Sequence, residues 1–188
     1  MKYTLLALAA ASLMSTAAHA GTLTAEVRFG EVKSTWTRGT PDSTEYKVEY
    51  WDTVGGVANV GAELQTKQGE NAGSLGSKIS LKAGPALPAV AGFKVNAYGE
   101  VGKNLSPANN FEFWGAGVKV RKDVFGPLSV NAGYRHRQGF DAGDINEERL
   151  NAGLGYSLTD SVALGATYYR TRGTRDSDAI GLSVSKTF

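Results

Sequence analysis

Histidine, cysteine and clustered acids are the residue types that most often carry catalysis or hold a metal. This chain is poor in all three. It has no cysteine and two histidines, and His19 falls in a leader-like N-terminal stretch, which leaves His136. One imidazole cannot build a multi-histidine metal site. It could act as a general base beside a serine, but Tyr134-Arg135-His136-Arg137-Gln138 has no such partner nearby on its strand. Strand parity also turns His136 away from the polar face. Two acid pairs, Asp176-Ser177-Asp178 and Asp141-Ala142-Gly143-Asp144, have the composition for activating a water or binding calcium. They are sparse and lack a histidine, so they read as solvated loop polarity. The expectation is therefore no catalytic residue, no metal, no cofactor and no enzyme activity. Lys and Arg are dispersed along the chain without an aromatic stacking platform, so no nucleic-acid footprint is expected either.

What remains is electrostatic chemistry. Arg28, Lys78, Lys82, Lys94, Lys119, Arg121, Arg135 and Arg149 each stand on the polar side of an alternating segment. With Lys47 and Arg137 they make ten bases on that side, against five acids: Glu26, Glu45, Glu49, Glu63 and Glu100. A row of such cations in a narrow space would favour anions, and guanidinium groups suit carboxylates and phosphates.

The elements that carry these charges have a period of two. Leu23, Ala25, Val27 and Phe29 alternate with Thr24, Glu26 and Arg28. Tyr46, Val48 and Tyr50 alternate with Glu45, Lys47 and Glu49. Eight further segments follow the same rule, ending with Ile180, Leu182 and Val184 against Gly181, Ser183 and Ser185. Alternation gives each segment one apolar and one polar face. No stretch has helical period. The predicted architecture is an all-β, antiparallel, up-and-down barrel of about ten strands, with eight to twelve compatible with the spacing. Short connections (Val54-Gly55-Gly56, Asp123 to Pro127, Leu158 to Ser161, and a longer apolar one from Gly84 to Gly92) alternate with polar ones (Ser34 to Asp42, Gly69 to Ser74, Gly102 to Asn110, Gln138 to Glu147, Thr171 to Ser177). That asymmetry is typical of barrels that span a membrane.

Residues 1–20 read as a secretory leader. Lys2 precedes the apolar Leu5 to Ala11, and Ala18-His19-Ala20 is an A-x-A cleavage pattern. Residues 21–188 would then be the mature barrel. Its charge is close to balanced, since the whole chain has 20 Lys+Arg against 18 Asp+Glu and the leader removes Lys2.

Alternation alone does not say which face points out. The apolar face is light at mid-strand (Ala62, Ala97, Ala116, Ala132, Ala152) and aromatic near strand ends. Tyr50, Phe93, Phe125, Tyr156 and Phe188 fall near one end, and Phe29, Phe111, Trp114, Tyr134 and Tyr168 near the other. Two aromatic belts around an aliphatic band suit the two interfaces of a bilayer. A soluble core would place its large rings at mid-strand, where dense filling is needed.

The last strand, Ile180, Leu182, Val184 and Phe188, resembles the C-terminal signature of bacterial outer-membrane proteins. Those chains end on an aromatic residue that the insertion machinery reads. Lys186 departs from the pattern, standing where an apolar or aromatic residue is usual, and a lysine there could snorkel to water. The resemblance implies residence in the outer membrane, with its lipid, lipopolysaccharide and the barrel-insertion machinery as partners. The paired aspartates and the strand count are also found in the omptin barrel proteases, but the Asp–His pair is not present here. The basic lumen loosely resembles that of small porins for acidic oligosaccharides such as oligogalacturonates, which have twelve strands. Three functions follow: a narrow anion-preferring channel for small anionic solutes, a closed structural or surface barrel whose charges pair across the lumen, and a soluble secreted barrel that binds an apolar ligand within.

Overall fold

The computed structural model describes residues 21–33, 42–69, 76–106, 109–141, 145–174 and 176–188. The expected leader (residues 1–20), residues 34–41, 70–75, 107–108, 142–144 and 175, and with them one acid of the Asp141/Asp144 pair, lie outside the described residues. Ten strands form: β1 (Thr22–Lys33), β2 (Asp42–Val54), β3 (Ala58–Gly69), β4 (Gly76–Pro85), β5 (Phe93–Ser106), β6 (Asn109–Phe125), β7 (Leu128–Gly139), β8 (Asn146–Ser157), β9 (Val162–Gly173) and β10 (Asp176–Thr187). Each pairs antiparallel with the next, and β10 closes on β1 from Thr22↔Thr187 to Lys33↔Asp176. Closure leaves no unpaired edge, which a strand in hydrocarbon requires.

The tight turns gather at the end that holds the chain termini. Gly55 and Gly56 both have positive φ (59° and 71°), the conformation that a two-residue primed hairpin turn needs, and Val57 N–H donates to Val54 O at 3.2 Å. In the β8–β9 turn, the Thr159 hydroxyl accepts from Ser161 N–H and Val162 N–H. At the other end, three of the connections expected to be long are shorter. β5 and β6 stay paired to Ser106↔Asn109, and only 174 and 175 separate β9 from β10. Asn146 and Glu147 belong to β8, and the Asp176-Ser177-Asp178 triplet belongs to β10 rather than to a loop. Backbone pairing continues above the apolar band, where both faces are polar and the alternation that marks a strand disappears.

The faces are inverted relative to a soluble protein. Outward Leu81 is 62% exposed, while inward Glu100 is 4% exposed. Among the described residues, four hydrophobic side chains are buried against fourteen polar or charged ones. A soluble barrel with an apolar ligand cavity would show the opposite, so the third sequence-based function does not match this fold. Phe93, Trp114, Tyr134, Tyr156 and Tyr168 are exposed on the outer face, and outward Tyr50 is half-buried. Ile180, Leu182 and Val184 face out opposite Phe29, Val27 and Ala25, and Phe188 N–H donates to Gly21 O at 3.0 Å. Phe111 is a correction. It shares the inward parity of fully buried Phe113 and belongs to the lumen, because the β6 alternation places Glu112 and Trp114 outside.

Candidate functional site in the barrel lumen

The inward side chains come from positions two apart on each strand, so the barrel interior is a stack of charged rows. Six carboxylates organise it. Glu49 receives Lys82 at 2.6 Å, Lys119 at 2.8 Å and Lys47 at 3.3 Å. Glu63 receives Lys82 at 2.5 Å, Arg137 at 2.8 Å and Arg135 at 3.3 Å. Glu100 accepts from two Arg137 nitrogens, Nε at 2.6 Å and Nη2 at 2.9 Å. Glu26 is held by Lys47 at 2.8 Å, by Arg28 at 2.9 Å and by the Tyr169 hydroxyl at 2.5 Å. Glu45 pairs with Arg28 and lies 3.9 Å from Arg149. Glu147 is 3.8 Å from Lys78.

Several of these bonds cross the interior. In a ten-strand barrel, strands four or five apart face each other. Arg137 on β7 reaches Glu63 on β3, Lys119 on β6 reaches Glu49 on β2, Lys78 on β4 reaches Glu147 on β8, and Arg149 on β8 reaches toward Glu45 on β2. Most of these groups are buried, Arg137 and Lys82 almost entirely. Barrels near this strand number have interiors narrow enough for side chains to fill. Removing one partner of such a pair costs about 3–5 kcal/mol, because the other charge is left buried and alone.

Aromatic rings fill the space between the charges. Trp51 and Tyr98 meet edge to face with centroids 5.4 Å apart. The Lys82 and Lys119 ammonium groups lie 5.4–5.9 Å from their centroids. Arg137 lies over Phe113 at 4.8 Å and Arg28 over Tyr169 at 4.1 Å. Each ring sits against a glycine of a neighbouring strand. Trp51 is in register with Gly61, Tyr98 with Gly117 and Phe113 with Gly102. A Cβ on Gly102 would come 2.4 Å from Phe113 Cζ and 2.5 Å from Ile79 O. Inward glycines here make room for large side chains, the second of the two roles that glycine takes in such a wall.

The eight bases expected to form an anion track therefore separate into two groups. Arg28, Lys78, Lys82, Arg135 and Arg149 are drawn into the cross-lumen network. Lys94 and Arg121 stand at the turn-side mouth, where both contact Asp123, at 3.0 and 3.3 Å. Lys119 lies between the groups, bonded to Glu49 and 39% exposed. A continuous track of free cations is not what these positions build. Glu147 and Asp123 also enlarge the acid side beyond the five expected, since both lie on the strands rather than in loops. Sequence reasoning missed Trp51, Phe113, Tyr169 and Gln65, and it underweighted Arg137. Their signal was a bulky or amide side chain on the polar parity, which a purely charge-based reading passes over. His136 points outward and packs edge to face on Trp114 at 5.8 Å. Among the described residues no cluster of three His, Cys, Asp or Glu could hold a metal.

No protein-family model and no curated protein matches the sequence. The fold has likenesses among solved structures. The β domain of the Bordetella autotransporter BrkA aligns with a TM-score of 0.60 at 11% identity, covering 90% of this chain and 100% of that one. The COG4313 outer membrane channel from Pseudomonas putida F1 aligns at 0.53 and 10% identity, covering 90% and 96%. The translocator domain of the autotransporter NalP from Neisseria meningitidis aligns at 0.52 and 11% identity, covering 96% and 92%. At such identities the likeness is one of fold, that of transmembrane β-barrels.

Proposed function

We propose that this chain is an outer-membrane β-barrel of porin-like build whose lumen is held shut at mid-height by ion pairs. The observation that carries the reading is the bonding of opposite walls, Arg137 to Glu63 and Lys119 to Glu49, inside a barrel whose outer surface is apolar. Buried charge within and exposed aliphatic side chains outside suit a lipid exterior. Cleavage after Ala20, recognition of Phe188 by the insertion machinery, and lipopolysaccharide around the loop side belong to the same proposal. Conductance of the refolded residues 21–188 in a planar bilayer tests it. The wild type should give no steady current at low voltage, and the double substitution Glu63→Ala with Arg137→Ala should give one. A steady wild-type current would overturn the closed lumen.

A second reading is a narrow anion-preferring channel. It is favoured by the exposed turn-side bases Lys94, Arg121 and half-exposed Lys119 and by the surplus of inward bases. In that case the wild-type current should be carried by anions, as read from reversal potentials in a salt gradient. The preference should shrink at high salt as screening shortens the reach of the charges.

A further inference from the structure

The outward charges differ between the two rims. On the loop side four of them form two ion pairs. Arg170 binds Asp178 at 2.7 and 2.9 Å, the Tyr168 hydroxyl binds the same carboxylate at 2.7 Å, and Lys103 reaches Glu112 at 3.3 Å. On the turn side two outward lysines, Lys122 and Lys186, make no ion pair among the described residues. Each instead holds its ammonium over an aromatic ring, Lys122 over Phe93 at 4.5 Å and Lys186 over Phe188 at 4.9 Å. Two acids also stand at this rim: Asp52, which accepts from the Tyr50 hydroxyl at 3.4 Å, and Asp160, exposed in the β8–β9 turn.

The apolar band extends into the turns on this side. From Leu23 to Phe29 on β1, six steps of roughly 3.3 Å each, tilted about 40°, rise only about 15 Å, against about 25 Å of hydrocarbon to be covered. The turns supply the rest. Phe125 is 80% exposed, Val57 74% and Val90 65%, and all three lie in or beside turns at this end. Turns with such side chains suit the interfacial region of the leaflet, where a cation beside a ring meets lipid phosphate.

We propose that Lys122 with Phe93, and Lys186 with Phe188, form two sites for the phosphate of anionic phospholipid head groups in the turn-side leaflet. The ring takes the glycerol and upper acyl region while the ammonium reaches the phosphate. The sites are separate, one at the β5–β6 hairpin and the other at the barrel closure. This also assigns a role to Lys186, the residue that departs from the C-terminal signature. The inference rests on the membrane reading above.

Native mass spectrometry of the refolded residues 21–188, released from detergent micelles doped with equal amounts of phosphatidylglycerol and phosphatidylcholine, tests it. The wild type should retain up to two phosphatidylglycerol molecules in preference to phosphatidylcholine, by about five-fold per lysine. K122Q and K186Q should each lose one, the pair should lose both, and K103Q should change nothing. If the double variant does not refold, the wild type in 0.5 M salt gives the second measurement, and its preference should fall toward unity. Equal retention of the two lipids by the wild type, or an unchanged preference in K122Q/K186Q, overturns the proposal while leaving the membrane reading intact. A protein that folds as a monodisperse species in plain buffer and retains neither lipid overturns both.

Discussion

The two halves of the lumen are built differently. Toward the middle and the loop side, Glu49, Glu63, Glu100, Lys82 and Arg137 are buried and shared among one another. Toward the turns the wall is small and wet. Gly155, Gly165, Ser183 and Ser185 are half-exposed, and Lys94, Arg121 and Asp123 reach solvent. The same alternation produces both halves. What differs is side-chain length against the width of the barrel: long charged groups from opposite walls meet and exclude water, while short ones leave a vestibule. A charge in the first half is an element of the fold. In the second half it acts on the field that a solute meets, because a low-dielectric wall focuses that field in a narrow space.

The strongest way to break this comparison is to remove one partner from each half. Glu63→Ala takes one carboxylate from Arg137, Lys82 and Arg135 and leaves Glu49 and Glu100 to balance all three buried cations, so it should destabilise the barrel by about 3 kcal/mol in urea titrations in lipid vesicles. Arg121→Ser removes an exposed pair with Asp123 and should cost about 0–1 kcal/mol. Equal costs would mean that the central pairs are hydrated and that the lumen is not closed there.

Below that in size comes a test of which face is which. Ala132 lies on the outer face near the middle of β7, and its neighbour Asn131 on the inner face. Ala132→Arg should cost about 2–4 kcal/mol, as a cation does at the bilayer midplane, while Asn131→Arg adds a cation to a wet wall and should cost less. A reversed order in the same titration would invert the barrel.

Much of the fold is legible in the sequence because a two-residue period cannot be satisfied by anything but a strand, and ten such runs with Gly-Gly or Pro-containing turns between them leave few arrangements. Parity assigned the outer face from Ala25 to Val184, with Phe111 as the exception, while Leu23 is buried. Strand ends above the bilayer were not legible, since Asn146-Glu147 and Asp176-Ser177-Asp178 have polar neighbours on both faces. Nor was the fate of the basic side chains. Residue type sets a charge, but whether Lys82 is a free cation or the partner of Glu49 and Glu63 depends on strands that lie far apart in sequence and are brought together only by closure. Counting ten bases against five acids overstated the surplus, since Glu147 and Asp123 join the acids, and it did not show that pairing would draw most of the bases in. The glycines were read as either opening space or making room, and the structure favours the second: Gly61, Gly102 and Gly117 lie under large rings, while Gly155 and Gly165 face only a serine hydroxyl.

That division gives the smallest and sharpest contrast. Gly102 lies beneath Phe113, with an added Cβ 2.4 Å from the ring and 2.5 Å from a backbone carbonyl. Neither atom is the free end of a flexible chain, and fully buried Phe113 has Arg137 stacked on it. Gly102→Ala should therefore overpack the plug and cost about 1–3 kcal/mol. Gly155 lies in the vestibule. Its added Cβ would meet only the Ser129 hydroxyl within 3 Å, at 2.5 Å, with the next atom at 3.7 Å. Only this one side-chain atom of buried Ser129 has to move, so Gly155→Ala should cost about 1 kcal/mol or less. Thermal melts of the two variants, followed by the shift between heated and unheated bands on electrophoresis, make the comparison on the same chemical change. Similar losses at both positions would show that the turn-side half is packed as tightly as the centre, and the vestibule would then have no room for a solute.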